Sequence, residues 1–208
     1  SIDGVMAGNL GDVGCFSFYA TKIMTTGGEG GIITTNNLKV DERSRLLRSH
    51  GGDGRLFYEH SSNYRMTELQ AVIGLSQLKR LDVFVEKRNF IADRYINYLT
   101  GVHGIQLMNT YDNIYNSYWN FYFILDSNID RDFVMEELVK FGIQSGDAYY
   151  PACNQQPVFD KYVFNSKFEV ANNILKRHMS LPMYVDLNES DTKFITDKLK
   201  DIINDYKR

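Results

Sequence analysis

The sequence has few cysteines and no metal-binding pattern. Cys15 and Cys153 lie far apart in the chain, and none of the four histidines has the spacing of a metal-ligand pair. Two distant cysteines form neither the disulfide framework of a small secreted domain nor a paired zinc motif. The sequence therefore predicts no metal centre, and the lack of a disulfide framework favours the reducing cytoplasm as the protein's location.

The sequence also lacks an excess of positive charge and a long apolar run. Lys and Arg number 23 against 26 Asp and Glu, which gives a formal net charge of -3 at pH 7. Nucleic-acid binding needs concentrated positive charge on one face, so we expect no nucleic-acid partner. No apolar run approaches the roughly 20 residues that span a bilayer, so we expect no membrane partner. With 43% hydrophobic residues, the chain has enough apolar side chains for a globular core.

Residues 1–100 have the pattern of an α/β segment. The segments "DVGCFSFYA" and "GGIITTN" are short, apolar and bounded by glycine or asparagine, which predicts two strands. The segment "VDERSRLLRSHG" predicts a helix that ends at Gly51. From Thr67, a suitable N-cap, apolar residues recur every three or four positions, which predicts one long amphipathic helix that ends after Leu99. We interpret the apolar stripe of this helix as a packing face that a partner chain could share.

The first strands are too few to form a sheet by themselves, because two strands bury little apolar surface on either face. The chain also opens with "SIDGVMAGNLGDVG" and without an initiator methionine. We therefore expect this sequence to be a piece of a longer polypeptide, with further strands before Ser1.

Residues 101–208 have the pattern of a small α+β domain. "GIQLMN" and "SYWNFYFILD" predict strands, and "GIQSGDAYY" is a weaker strand candidate ahead of the loop "PACNQQPVFDKY". "DRDFVMEELVKFG" predicts a helix that Asp130 caps and Gly142 ends. "KFEVANNILKRHMSLP" predicts a helix that ends at Pro182, and "NESDTKFITDKLKDIINDY" predicts a closing helix. We therefore divide the chain near residue 100.

Lys22 lies between a predicted strand and a glycine-rich turn in "CFSFYATKIMTTGGEGG". Most lysines are solvated surface charges, and this segment alone favours that interpretation. A lysine in a partly buried, electropositive site can instead attack a carbonyl, because such a site lowers the cost of losing its proton. Ser17 and the glycine amides from Gly27 onward would supply O–H and N–H donors for a phosphate. The segment is therefore a candidate site for an aldehyde that carries a phosphate.

This segment resembles the lysine segment of the DegT/StrS-type sugar aminotransferases, which are fold-type I pyridoxal-phosphate enzymes. It has the family's aromatic-Ser-aromatic strand, a lysine five residues after Ser17, and a Gly-Glu-Gly-Gly turn. Three further segments are similar to the family in the same order, namely "SSNYRMTELQAVIGLSQLKRLD", "YYPACNQQPVF" and "SLPMYVDLNESD". The resemblance covers essentially the whole chain. It implies the C-terminal part of the α/β fold: the end of the large mixed-sheet domain, a long linking helix and a small α+β domain.

The resemblance implies a cofactor and a set of residues that bind it. The cofactor would be pyridoxal 5'-phosphate, bound through its aldehyde by Lys22, which would also move the substrate's α-proton. Ser17 would bind the cofactor phosphate. Asn63 would reach the phosphate of the neighbouring subunit in a homodimer with shared sites, helped by Arg65. Composition alone makes Asn63 a turn residue and Arg65 a surface charge.

The resemblance also implies a substrate class. By family habit, the enzyme would transfer an amino group from glutamate to a keto sugar carried on a nucleotide. Tyr149 and Tyr150 are candidates for substrate contact, although core or interface packing explains them equally well. Asn154 lies where the family often has a histidine, so this departure bears on substrate specificity. The acidic partner of the cofactor's pyridine nitrogen is expected a few positions before Ser1.

Two other interpretations stay open. A sugar dehydratase of the same family would have histidine at the position of Lys22, so Lys22 argues against it. A truncated, non-catalytic piece would bind the cofactor weakly and turn over no substrate, and the expected absence of the acidic partner favours it. Titration with the cofactor distinguishes this second alternative from an aminotransferase.

Overall fold

The computed structural model describes residues 1–162 and 168–206. The chain forms two compact units. Unit 1 consists of Ser1–Val85 and Tyr111–Asn116, and unit 2 consists of Glu86–Thr110 and Ser117–Arg208. The division thus falls at Val85, earlier than the boundary near residue 100 that we placed from the sequence.

Unit 1 has a two-stranded antiparallel sheet and helices that follow it in the chain. In the sheet, Val13 pairs with Thr35 and Ser17 pairs with Gly31. Both strands agree with the predicted segments, although the first is shorter than predicted. The elements are β1 (Val13–Ser17), β2 (Gly31–Thr35), α1 (Leu38–Arg48), α2 (Glu68–Leu78) and the start of α3 (Leu81–Leu99).

The helix start predicted at Thr67 is confirmed. The Thr67 hydroxyl accepts a hydrogen bond from the Gln70 amide, and the Gln70 side chain accepts one from the Thr67 amide. This reciprocal pair is a capping box, which satisfies amides that the first helical turn leaves without partners. Asn37 caps α1 in a similar way, because its side chain accepts from the amides of Lys39 and Val40.

The prediction of one long helix from Thr67 to Leu99 is wrong, because α2 ends at Leu78 and α3 begins at Leu81. At the junction the Arg80 amide donates to the Gln77 carbonyl at 3.0 Å, a bond that spans three residues and tightens the chain. The sequence has no glycine or proline at this break, and the spacing of apolar residues continues across it. The break therefore cannot be predicted from the sequence pattern.

Unit 2 has a three-stranded antiparallel sheet with β4 in the centre, flanked by β3 and β5. The helix α6 packs against α4. Two short 3-10 turns, Cys153–Gln155 and Pro157–Phe159, lie in the loop before α5. The elements are β3 (Ile105–Leu107), β4 (Phe121–Leu125), α4 (Arg131–Lys140), α5 (Glu169–Arg177), β5 (His178–Leu181) and α6 (Glu189–Tyr206).

Two predictions for unit 2 need correction. The helix predicted to end at Pro182 ends at Arg177, and His178–Leu181 forms β5 because all four of its side chains are buried and its backbone pairs with β4. The predicted first residue of that helix, Lys167, lies outside the described residues. "GIQSGDAYY" is not a strand and makes one bridge, between Gly146 and Ser180.

The apolar core of unit 2 explains where the two units divide. The C-terminal part of α3 contributes Ile91, Tyr95 and Leu99 to this core, so these residues belong with unit 2 although they continue a helix that begins in unit 1. Phe123 and Leu125 enter the same core from β4.

In the parts of the chain that the structure describes, no helix is long and apolar enough to cross a membrane.

Candidate functional site

Lys22 lies on the loop that joins β1 to β2, residues 18–30, which we call the lysine loop. At the base of this loop the Phe18 amide donates to the Gly30 carbonyl at 2.8 Å. The Lys22 amide donates to the Tyr19 carbonyl at 2.9 Å, which turns the chain directly after the strand. The Lys22 side chain is half-buried. The lysine is therefore part of a defined turn.

Thr26 fixes the lysine loop from the inside. It is 1% exposed; its amide donates to the Phe18 carbonyl at 3.1 Å and its hydroxyl donates to the Glu29 carbonyl at 3.1 Å. A Cβ at Gly30 would lie 2.1 Å from the Thr26 hydroxyl oxygen, and one at Gly74 would lie 3.0 Å from the Thr26 methyl group. The Gly-Glu-Gly-Gly turn is therefore needed here because a side chain at Gly30 would collide with Thr26.

The first turn of α2 is hydrogen-bonded to the lysine loop through Gln70. The Gln70 Oε1 atom accepts from the Thr67 amide at 2.9 Å, and Nε2 donates to the Glu29 carbonyl at 2.8 Å. One side chain thus closes the capping box and connects the helix to the loop that carries Lys22. Our sequence reasoning did not single out Gln70, although its position three residues after Thr67 is the signal of a capping box.

Ser17, the predicted phosphate ligand, is the last residue of β1 and is exposed. Its Oγ atom accepts a hydrogen bond from the Tyr19 amide at 3.3 Å. A hydroxyl that accepts one bond still has its own hydrogen to donate. Ser17 can therefore donate a hydrogen bond to an anionic oxygen. It does so from the C-terminal end of β1, directly before the lysine loop.

Asn63 and Arg65 are exposed and form one hydrogen-bonded pair. The Asn63 Oδ1 atom accepts from the Arg65 amide at 3.2 Å and from Arg65 Nε at 3.0 Å. Because Oδ1 is used in this way, Asn63 presents its Nδ2 group as a donor. A donor with an adjacent guanidinium has the polarity that a phosphate needs. Both residues lie in unit 1 with Ser17 and Lys22.

The predicted substrate residues lie in unit 2. Tyr149 is 65% exposed and has a φ of 72°, and the Tyr150 ring lies 4.4 Å from the Arg131 guanidinium carbon. Asn154 is half-buried, and its Nδ2 donates to the Asn172 Oδ1 atom at 3.1 Å. The orientation of the Asn154 amide is therefore set by a residue of α5.

A metal site is not found among residues 1–162 and 168–206. No group of three or more His, Cys, Asp or Glu side chains in this part of the chain could hold a metal ion. What unit 1 offers is a primary amine on a turn after a strand, together with hydroxyl and amide donors. These groups define a candidate site for a carbonyl compound that carries an anionic group.

The chain belongs to the DegT/DnrJ/EryC1/StrS aminotransferase family, whose sequence pattern matches residues 1–200. It is 31% identical to a GDP-perosamine synthase of Vibrio cholerae over 98% of this chain and 56% of that protein. It is also 31% identical to a UDP-N-acetyl-3-dehydro-alpha-D-glucosamine 3-aminotransferase of Acidithiobacillus ferrooxidans, over 90% of this chain and 50% of that protein. The chain thus spans about half the length of the curated relatives that it matches.

Solved structures confirm the predicted fold. The aminotransferase TlmJ from Streptoalloteichus hindustanus superposes with a TM-score of 0.88 at 27% identity, over 99% of this chain and 56% of that chain. A DegT DnrJ EryC1 StrS aminotransferase from Brucella abortus superposes with a TM-score of 0.86 at 27% identity, over 96% and 53% of the two chains. The described structure is mixed α/β and corresponds to the C-terminal half of these neighbours.

Proposed function

We propose that this chain provides the cofactor lysine of a pyridoxal-phosphate-dependent aminotransferase. The enzyme would transfer an amino group from glutamate to a keto sugar carried on a nucleotide. The observation that carries the proposal is Lys22, half-buried on a loop that Thr26 and Gly30 fix, in a chain of an aminotransferase family. The names of the relatives support the substrate class, because they include enzymes of GDP-linked and UDP-linked sugars.

The residues present fit pyridoxal 5'-phosphate. The cofactor needs an amine for its aldehyde and hydrogen-bond donors for its phosphate; Lys22 and Ser17 offer these groups, and Asn63 would add a donor from the neighbouring subunit. A Cβ added at Gly28 would meet nothing within 4 Å, so the lysine loop has open space beside it. When bound, the cofactor supplies an acceptor for the electron pair that the substrate's broken C–H bond leaves behind.

Lys22 would have two tasks. Its Nζ atom would first hold the cofactor and, once released by the amino donor, would accept the proton from the donor's α-carbon. The turn that begins with the Lys22–Tyr19 backbone hydrogen bond would keep the amine close to both positions. Ser17 would donate to the phosphate and so fix the distance between the cofactor's two ends. Arg65 would orient the Asn63 amide through the hydrogen bonds to Oδ1.

The working unit would be a homodimer in which Asn63 serves the neighbouring site. The support is the exposure of Asn63 and of the apolar side chains of α2, among them Leu69 at 79% and Val72 at 65%. A second copy of the chain would cover them. Sedimentation of the active enzyme should give a dimer, and a stable, active monomer at micromolar concentration would contradict this part of the proposal.

We place the enzyme in the cytoplasm, where the free cysteines Cys15 and Cys153 would stay reduced.

An assay of 2-oxoglutarate production tests the proposed reaction. The protein is mixed with pyridoxal phosphate, glutamate and a keto sugar linked to GDP or to UDP. Both the 208-residue chain and any longer product of its gene are assayed, because the chain spans about half the length of its relatives. We expect negligible turnover from the 208-residue chain and turnover from the longer product. No 2-oxoglutarate from either preparation with either nucleotide would overturn the proposal.

A further inference from the structure

We propose that two buried arginines of unit 2, Arg88 and Arg131, are positioning residues for one aromatic surface. The surface is formed by Trp119, Tyr149 and Tyr150, which lie on two separate loops. The inference rests on the proposed function, because the ligand it invokes is the nucleotide-linked substrate, for which Tyr149 and Tyr150 are the candidate contacts. Each arginine holds one of the two loops, and the loops meet through their rings.

Each loop contains a tyrosine in an unfavourable backbone conformation. Tyr118 has a φ of 45° and Tyr149 has a φ of 72°. Bulky residues rarely adopt positive φ, and such a conformation persists only where the surrounding structure enforces it. Strain of this kind is found where a side chain must be aimed in a particular direction. Both loops therefore need an anchor.

Arg88 of α3 anchors the loop that carries Trp119. Its Nη1 atom donates to the carbonyls of Tyr118 at 3.1 Å, Trp119 at 3.0 Å and Met183 at 3.1 Å. Burial lowers the pKa of Arg88 from its ordinary value, and within the described residues its buried Nε atom has no hydrogen-bond partner. Both features cost stability. The Arg88 guanidinium is therefore buried at a cost in stability, and its hydrogen bonds hold the backbone of the Trp119 loop in place.

Arg131 of α4 anchors the loop that carries Tyr149 and Tyr150. Its guanidinium carbon lies 4.4 Å from the centroid of the Tyr150 ring, and Nη2 lies 3.5 Å from Asp147 Oδ2. The Tyr150 amide donates to the Asp147 carbonyl at 3.1 Å, so the arginine contacts both ends of one turn. Tyr149 lies inside this turn. A planar guanidinium suits this position because its face can lie over a ring while its edge hydrogen-bonds a carboxylate, here that of Asp132.

The two loops meet where the rings of Trp119 and Tyr149 approach each other. Their centroids are 6.4 Å apart, with 57° between the ring planes. Both rings remain partly exposed to solvent. Exposed aromatic faces bind other rings by stacking, so this surface can contact a ring of the nucleotide-linked substrate. Displacement of either loop would separate the rings and remove the surface.

Fluorescence tests the proposal directly, because Trp119 is the single tryptophan of the sequence. We expect Arg88→Met and Arg131→Met to move its emission to longer wavelength. Because the indole is half-buried now, its exposure should raise the acrylamide quenching constant about twofold. Tyr149→Ala, which removes the ring contact itself, should give the same change.

Arg177→Met is the matched control. Arg177 donates to the Leu125 carbonyl at 2.7 Å and to the Asn173 side chain, so it resembles Arg88 in bonding a backbone carbonyl, but these hydrogen bonds go to β4 and α5 and not to an aromatic loop. Its substitution should leave the emission and the quenching unchanged. A change as large as in the other two variants would overturn the proposal, since any arginine that bonds a backbone carbonyl of unit 2 would then have the same effect.

Lysine variants keep the test decisive if the methionine variants do not fold. Arg88→Lys and Arg131→Lys retain the charge but lose the planar group with its several donors. A folded arginine variant with wild-type emission and wild-type quenching overturns the role of that arginine. In an active preparation, the KM for the keto-sugar nucleotide should rise in the same variants. Altered fluorescence with an unchanged KM would confirm the positioning and contradict substrate contact, so the two proposals fail separately.

Discussion

Unit 2 has a buried apolar core, whereas unit 1 leaves nearly all of its large apolar side chains at least partly exposed. Among the described residues, Phe84 is the one buried apolar residue of unit 1, and all members of the apolar core lie in unit 2. In β2, Ile32 is 50% exposed and Ile33 is 51% exposed. Consecutive strand residues point to opposite faces, so both faces of the β1–β2 sheet are open.

The lysine loop of unit 1 and the aromatic loops of unit 2 are accordingly held by different contacts. The lysine loop is fixed by hydrogen bonds from Thr26 and Gln70 and by the close approach of Gly30. The aromatic loops of unit 2 are fixed by buried arginines beside an apolar core. Apolar truncations should therefore cost more stability in unit 2 than in unit 1, whereas substitutions of hydrogen-bonding side chains should disturb the loops of both units.

The largest effect is expected for Lys22→Ala in the active enzyme. Loss of the amine removes both the covalent attachment and the proton acceptor, so the rate should fall by at least about 100-fold. Stability should change little, because a half-buried loop lysine contributes little packing. The measurement is 2-oxoglutarate production beside a circular-dichroism spectrum. The control is Lys39→Ala, at an exposed position of α1, which should keep the wild-type rate. If Lys22→Ala were as fast as this control, the proposed mechanism would be wrong.

The next largest effect is a difference in stability between the two units when an apolar side chain is truncated in each. Phe123→Ala in the core of unit 2 should cost about 3–5 kcal/mol in the free energy of unfolding. Ile33→Ala in the open sheet of unit 1 should cost less than about 1 kcal/mol. Urea unfolding followed by Trp119 fluorescence reports unit 2, and circular dichroism reports both units. Equal losses in the two variants would show that the sheet of unit 1 is buried as well as the core of unit 2.

A smaller effect is expected for Gln70→Ala in unit 1. It removes the capping box and the bond to the Glu29 carbonyl, with a cost of about 1 kcal/mol. Hydrogen exchange of the Thr26 amide should become faster, because the loop loses its connection to α2. Ser76→Ala, at an exposed position of the same helix, should leave this exchange rate unchanged. Wild-type protection in Gln70→Ala would mean that Thr26 alone fixes the loop.

The smallest effect concerns the pH response of an exposed loop in unit 1. Hydrogen bonds from the amides of Leu56 and Arg55 and from the Tyr58 hydroxyl lower the pKa of the Asp53 carboxyl. These bonds therefore stabilise the loop above the ordinary pKa of about 4, and the stabilisation is lost as the pH falls through the lowered value. The Leu56 amide resonance should shift with pH in that acidic range. Asp53→Asn should abolish the shift, and a shift that persists in this variant would assign it to another group.

The sequence was most informative where a local signal has one structural meaning. Thr67 and Asp130 cap helices as predicted, since a hydroxyl or carboxylate before an apolar period satisfies free amides. The prediction was wrong at His178–Leu181, which we expected to be the end of a helix. These residues form a strand because they are buried and pair with β4, which is distant in the sequence. The break at Arg80 was missed because no helix-breaking residue marks it.

The sequence could nominate the candidate residues of unit 1 but not the two arginines of unit 2, for a related reason. Lys22, Ser17, Asn63 and Arg65 belong to segments whose order in the chain resembles the family, so a pattern could find them. Arg88 and Arg131 act on loops distant in sequence, and an arginine in a helix is ordinarily a solvated charge. Their importance becomes visible only when the fold places three carbonyls or a tyrosine ring against the guanidinium.

The most direct test of the account is the site at which the cofactor is attached. The longest gene product that contains this chain is loaded with pyridoxal 5'-phosphate, reduced with borohydride, digested and analysed by mass spectrometry. The account predicts that the added mass lies on the peptide that contains Lys22 and is absent from the Lys22→Ala protein. Label on Lys39 or Lys79, with Lys22 unmodified, would contradict it.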